Sequence, residues 1–327
     1  MPTTRSPHKG SMQFWPRKRA QRPYARIRTY AADRKECAIL GFAGYKVGMM
    51  QAIILDSRAA SLTKGEEIVS PVTIIECPPL RLASIRFYKN INGNPKVATE
   101  ILVGSEKELS RKICLSKKSF EDKMKEIGGK LSDFSDIRAL VYTKPSSTGI
   151  GKKKPEIFET ALSGDVKDKF NYLKERIGKD ITVDEVLREG ERVDIHAVTK
   201  GYGIQGPVKR FGVAIRAHKS EATKRGPGSL SDWCSQGKIM YRVAHAGQMG
   251  YHLRTEYNKL IFKVGKDDIN VKSGFEHYGK IRNPYVLIKG SVAGSEKRLI
   301  RMNCAIREKK KLPEGALQMK NLISDKE

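Results

Sequence analysis

Cysteine is scarce and poorly placed for its structural uses. The five residues Cys37, Cys77, Cys114, Cys234 and Cys304 are far apart, odd in number and include no C-x-x-C pair. Neither a disulfide framework nor a zinc site is indicated, and a reducing compartment is expected, with most thiols buried as small apolar groups. No apolar run approaches the roughly 18 residues a spanning helix needs, and no signal-type apolar stretch follows the start. Paired carboxylates, a nucleophile–base set and a metal-ligand cluster are also missing, so no catalytic residue, metal or cofactor is expected. No repeat of fixed period is visible.

Acidic residues are the most consequential shortage. Against 63 Lys+Arg there are 36 Asp+Glu, a net charge of +27, far more than solubility requires. The excess is localised: residues 1–36 hold ten basic and two acidic residues, residues 200–263 twelve and three, and residues 297–312 seven and one. The rest of the chain is close to neutral. A near-neutral body with basic extensions points to a polyanion, and counterion release makes phosphate the favoured contact. A membrane surface is the rival. The Arg-rich, acid-poor start also has the composition of a transit peptide, but Pro2, Pro7, Pro16 and Pro23 break any amphipathic helix there.

With 39% apolar residues the chain can build a sizeable core. In the arm over residues 1–36, prolines keep the backbone extended. Arg17, Lys18, Arg19, Arg22, Arg26 and Arg28 can meet phosphates, and Phe14, Trp15 and Tyr24 can stack on bases. The alternative is a solvated tail. From Cys37 to Cys77, short β-branched runs (C-A-I-L-G-F-A-G, V-G-M-M-Q-A-I-I-L, P-V-T-I-I-E-C) read as separate strands of a small curved barrel. Residues 78–190 read as an inserted α/β region, with helices near Glu106, from Ser119 and from Asp165. The last carries Val166, Phe170, Leu173 and Ile177 on one face. Thr182 and Glu185 form a capping box for a further short helix, which Gly190 closes. Lys152, Lys153 and Lys154 sit in a basic loop that lacks the spacing of a phosphate loop. Barrel strands resume over 191–199 and 239–302, and a basic tail occupies 303–327.

The stretch Lys200–Gly250 is the most informative. Residues 200–238 contain seven glycines and only five aliphatic residues, too few to fold unaided, so a long loop ordered by a partner is expected. Gly201, Gly203 and Gly206 fit G-x-G-x-x-G, the mark of a dinucleotide site. No helix is expected to begin at Gly206, no second strand leads to Glu221, and the motif does not open a βαβ unit. The glycines then serve close approach of the backbone to RNA, as do Gly247 and Gly250. Lys200, Lys209, Arg210, Arg216, His218, Lys219, Lys224, Arg225, Lys238, Arg242, His252 and Arg254 neutralise or hydrogen-bond to it. His245 suits the core or RNA equally. Trp233 stands in a polar context that favours a loop tip over the usual buried site. The opposing reading is a nucleotide-dependent or RNA-modifying enzyme using Gly201–Gly206; a third is a free nucleic-acid chaperone.

Four ordered blocks carry a resemblance: G-F-A-G-Y-K-V-G-M-M from Gly41, K-G-Y-G-I-Q-G-P-V-K-R-F from Lys200, A-G-Q-M-G from Ala246 and Y-V-L-I-K-G-S-V-A-G from Tyr285. Together they resemble the large-subunit ribosomal protein number three family, in its archaeal or eukaryotic length. That resemblance implies a mainly β protein in the cytoplasmic ribosome, with a translation-protein-type closed barrel, an α/β insertion and basic extensions. A finger over 200–238 enters 23S-type rRNA towards the peptidyl transferase centre, with Trp233 at its tip by position. The implied partners are that rRNA and neighbouring large-subunit proteins, without membrane or homo-oligomer. Eukaryotic members often carry Trp-His where this chain has Phe211-Gly212, so a role for that histidine does not transfer.

Overall fold

The computed structural model describes residues 11–31, 37–56, 61–115, 119–220, 223–228, 243–307 and 319–323. Two compact units emerge. The small one comprises Met1–Pro23 with Val198–Arg254, and the large one Tyr24–Ala197 with Thr255–Glu327. The described residues are mainly β.

In chain order the elements are β1 (Gly41–Leu55), β2 (Glu67–Glu76), β3 (Leu80–Ile91), β4 (Asn94–Leu102), α1 (Lys107–Ser110), α2 (Glu121–Gly128), β5 (Asp136–Thr143), β6 (Ile157–Ala161), α3 (Val166–Glu175), α4 (Val183–Val186), β7 (Arg192–Val198), β8 (Gly201–Gln205), α5 (Pro207–Phe211), β9 (Gly247–Gly250), β10 (Leu253–Gly265), β11 (Tyr285–Lys289), β12 (Leu299–Cys304) and β13 (Met319–Ile323). One sheet runs β12-β7-β10-β11-β2-β1-β13, and β12 pairs with β1 as well as with β7. A second, four-stranded sheet runs β4-β3-β5-β6. A single apolar cluster, from Ile74, Val286 and Ile300 to Phe87 and Phe170, joins both sheets of the large unit.

The first two apolar runs form one strand, not two. Gly44 is no turn: a Cβ there would lie 2.6 Å from the Glu76 carbonyl oxygen and 2.7 Å from Cys77 Sγ, so glycine lets β1 and β2 close up. The strand bends at a register shift between Lys46 and Gly48. Within the expected basic tail, Met319–Ile323 pairs antiparallel with β1, and Leu322 packs against the core.

Helix α3 follows its apolar stripe. Phe170 and Leu173 are buried, with Val166 and Ile177 partly so. Thr182 caps α4 in position only, because its hydroxyl donates to Glu185 Oε1 at 3.2 Å and takes no backbone N–H. The helix ends at Val186 with Leu187 as its C-cap, before Gly190. Buried Glu76 fixes the loop before β11: it accepts from the Arg282 and Asn283 amides at 2.9 Å, from Asn283 Nδ2 at 2.8 Å and from the Tyr278 hydroxyl.

Candidate nucleic-acid interface

The small unit is built on a two-stranded hairpin, β8 with β9, in which Gly201 faces Gly250 and Ile204 faces Gln248. The neighbour of β8 is thus antiparallel, which is not the parallel arrangement of a βαβ dinucleotide site. A helix does begin after Gly206, contrary to the sequence expectation. Pro207 stands at the first helical position, where no N–H is needed, and Phe211 is buried with Trp15 of the arm stacked on its ring. Gly212, with φ of 65°, caps the end by donating its amide to the Val208 carbonyl. One turn of helix needs no long apolar stripe.

The arm is hydrogen-bonded into this unit. Ala20 donates to the Tyr251 carbonyl at 2.8 Å, and the His252 ring meets the Lys18 carbonyl at 2.9 Å. Arg17 Nη1 donates to the Arg210 carbonyl at 2.8 Å, and Arg210 Nη2 returns the contact to the Arg17 carbonyl at 3.4 Å. Arg210 also holds the Gln248 and His245 carbonyls, both at 3.0 Å. The Arg17 guanidinium lies 4.3 Å from the Phe211 ring centroid, and Trp15 stacks on that ring at 5.7 Å. The described part of the arm is therefore joined to the hairpin by the protein's own hydrogen bonds.

Among its described residues this unit carries twelve Lys and Arg and not one Asp or Glu. Burial lowers the pKa of Arg17, Arg210 and Arg254, and Arg17 repels the other two further. His252 is lowered by burial, and by Arg254, Arg210 and Arg17 against the pull of the Lys18 carbonyl. In the large unit Arg81 and Arg138 show the opposite: the hydrogen bond that Arg81 donates to Asp180 raises its pKa, and in Arg138 burial is outweighed by the carboxylates of Glu159 and Asp136. Cations crowded together with no counter-charge among the described residues raise one another's cost, which an anion would relieve.

The sequence-derived contacts divide accordingly. Lys18, Arg19, Arg22, Lys200, Lys209, Arg216, His218, Lys219, Lys224 and Arg225 are exposed in the small unit, and Arg26, Arg28, Lys153 and Lys154 in the large one. Arg26 and Arg28 alternate with buried Ala25 and Ile27. Arg17 and Arg210 are half-buried and engaged with backbone, and His252 is buried. Lys152 is committed to an ion pair with buried Glu156. Trp15 is stacked on Phe211 and Tyr24 packs against the large unit's core. Phe14 is exposed, with Arg254 at 4.6 Å from its ring centroid. His245 is exposed, which rules out its core reading. A Cβ at Gly247 would meet Arg210 Nη1 at 2.9 Å, and one at Gly250 would collide with the Lys200 carbonyl, so protein atoms fill those spaces. Gly203 and Gly206 have none within 4 Å. Trp233, Lys238 and Arg242 lie outside the described residues.

Sequence reasoning missed Tyr202, Phe211 and Tyr251. Each is an aromatic ring under a cation, with Lys209 Nζ 5.2 Å from Tyr202 and Arg19 5.3 Å from Tyr251. Their signal is the interleaving of aromatic and basic residues beside the glycines, the same pattern that marks the arm. Among the described residues no group of three or more His, Cys, Asp or Glu could hold a metal, and no helix is long and apolar enough to cross a membrane.

Comparison with known proteins agrees along the whole chain. The family model described as Ribosomal protein L3 matches residues 1–324. The large ribosomal subunit protein uL3 of Methanosphaera stadtmanae is 44% identical over 315 residues, covering 93% of each chain. That of Methanocaldococcus jannaschii is 43% identical over 313 residues, covering 94% of this chain and 93% of its own. That of Methanospirillum hungatei is 43% identical over 317 residues, covering 94% of each. The chain belongs to the ribosomal protein L3 family.

Proposed function

We propose that the chain is a structural, non-catalytic protein of the large ribosomal subunit in the cytoplasm. It binds large-subunit rRNA, helps that RNA fold during assembly and supports the peptidyl transferase centre indirectly. The observation that carries the RNA reading is the small unit's nine exposed Lys and Arg without a carboxylate among its described residues. Such a surface gains by releasing counterions from a phosphate backbone.

In this reading residues 37–77, 191–199 and 239–302 form a closed barrel, supported by β12 pairing on both sides, and 78–190 is its insertion. Residues 200–238 form the finger that enters 23S-type rRNA, with Trp233 at the tip, and the arm and residues 303–327 add basic contacts. Neighbouring large-subunit proteins meet the near-neutral body. The test is binding of the full chain to deproteinised large-subunit rRNA and to an unrelated RNA of equal length across a salt series. Expected is a steep loss of affinity with salt and a preference for the ribosomal RNA. Equal binding to both would favour a free chaperone, and no salt-dependent binding would refute the proposal.

A further inference from the structure

The β8–β9 hairpin carries a feature that charge does not explain. Tyr202 is 48% exposed and Ile204 is 79% exposed, although both are apolar and lie in a strand. A strand normally turns such residues inward, and leaving isoleucine in water forfeits its transfer free energy. Among the described residues β9 is the one sheet neighbour of β8, and the register shifts between Gly201 and Ile204. Gly203, with φ of 68°, lies inside that shift. The bulge re-aims the side chains on either side of it.

The surroundings define what would cover them. Lys209 Nζ stands 5.2 Å from the Tyr202 ring centroid, and Lys200 is exposed at the strand's entry. With no carboxylate among the described residues of the unit, an apolar protein partner would itself have to be strongly acidic. A polyanion with flat apolar faces matches both features at once, and single-stranded RNA has that chemistry: phosphates outside, unstacked bases within.

We propose that the Tyr202–Ile204 edge of the hairpin is a docking site for unpaired nucleobases. The Tyr202 ring stacks on one base, Ile204 covers an apolar base face beside it, and Lys200 and Lys209 hold the flanking phosphates. This rests on the RNA-binding reading above and assigns it a contact at base level.

The test combines affinity with chemical footprinting on deproteinised large-subunit rRNA bound to the full chain. Tyr202→Ala should weaken binding about ten-fold while leaving the salt slope unchanged. It should also expose to dimethyl sulfate one or two bases that the wild type protects. Tyr202→Phe should keep both affinity and protection, and Ile204→Ser should lose part of the protection. Lys209→Ala should lower the salt slope by about 0.7 to 0.9. An unchanged footprint in Tyr202→Ala with weaker binding would mean a hairpin defect only and would overturn the proposal. Wild-type affinity in Tyr202→Ala would do the same. Binding to phosphatidylserine vesicles that is stronger than to rRNA, and lost in Ile204→Ser, would assign the edge to a lipid surface instead. Failure of the wild type to bind rRNA would sink the parent reading, a distinct result.

Discussion

Arg17 and Arg210 each donate to the other's backbone carbonyl, 193 positions apart in sequence. Burial lowers both pKa values, and Arg17 repels Arg210 further. The contact persists because Arg210's planar fork reaches the Gln248, His245 and Arg17 carbonyls together and because both guanidiniums lie over the Phe211 ring. These two arginines join the arm, helix α5 and strand β9.

Arg210→Ala should free the hairpin from the arm. Amide exchange at Gly247–Gly250 and at residues 17–20 is expected to rise about ten-fold, the equivalent of one or two lost hydrogen bonds. Arg210→Lys should behave nearly as poorly, because one ammonium cannot span three carbonyls. Unchanged exchange in both variants would show that the clasp holds nothing.

Gly250→Ala and Gly203→Ala should differ sharply. Both glycines have positive φ, 72° and 68°, which costs a side chain about 1 kcal/mol. Only at Gly250 would a Cβ also strike the Lys200 carbonyl and crowd Tyr202 Cδ2 at 3.0 Å, while Gly203 faces open space. Denaturant unfolding should register a larger loss for Gly250→Ala by about 1 kcal/mol or more; equal losses would refute the packing argument.

Lysines that look alike in sequence should separate in a salt series. Lys152 is paired with Glu156, which also accepts from buried Tyr45. Lys152→Ala should therefore leave the salt slope of rRNA binding unchanged while lowering the unfolding midpoint. Lys200→Ala should reduce the slope by about 0.7 to 0.9 and leave the midpoint alone. A reversed pattern would mean that the Glu156 pair opens on binding.

His196 makes stability pH-dependent on the acid side. Burial first, then Arg301, lowers its pKa to about 4, against a smaller pull from Asp194. The unfolded chain takes up a proton near pH 6.5 that the folded chain refuses. Stability from this residue is thus full above about 6.5 and declines as pH falls towards about 4. Comparing unfolding midpoints of the wild type and His196→Asn over that window isolates the effect, and parallel curves would refute it.

How much was legible in sequence depended on the range of the interaction. The stripe of α3 and the strands β7, β11 and β12 follow from local periodicity, which reports which face a segment buries. The merging of two runs into β1, the strand β13 in a basic tail and the single turn of α5 do not. Each depends on a partner distant in the chain: β2 against Gly44, β1 against Leu322, Trp15 against Phe211.

By itself the sequence determined the partner's chemistry, because net charge and its clustering do not depend on the fold, and four blocks of residues determined the family. Only the tertiary structure decided which cations are available. Lys152 lost its availability to a carboxylate, Arg17 and Arg210 to backbone carbonyls, and Trp15 and Tyr24 to packing. A charge contributes to binding only if nothing nearer satisfies it, and nearness is a property of the folded chain.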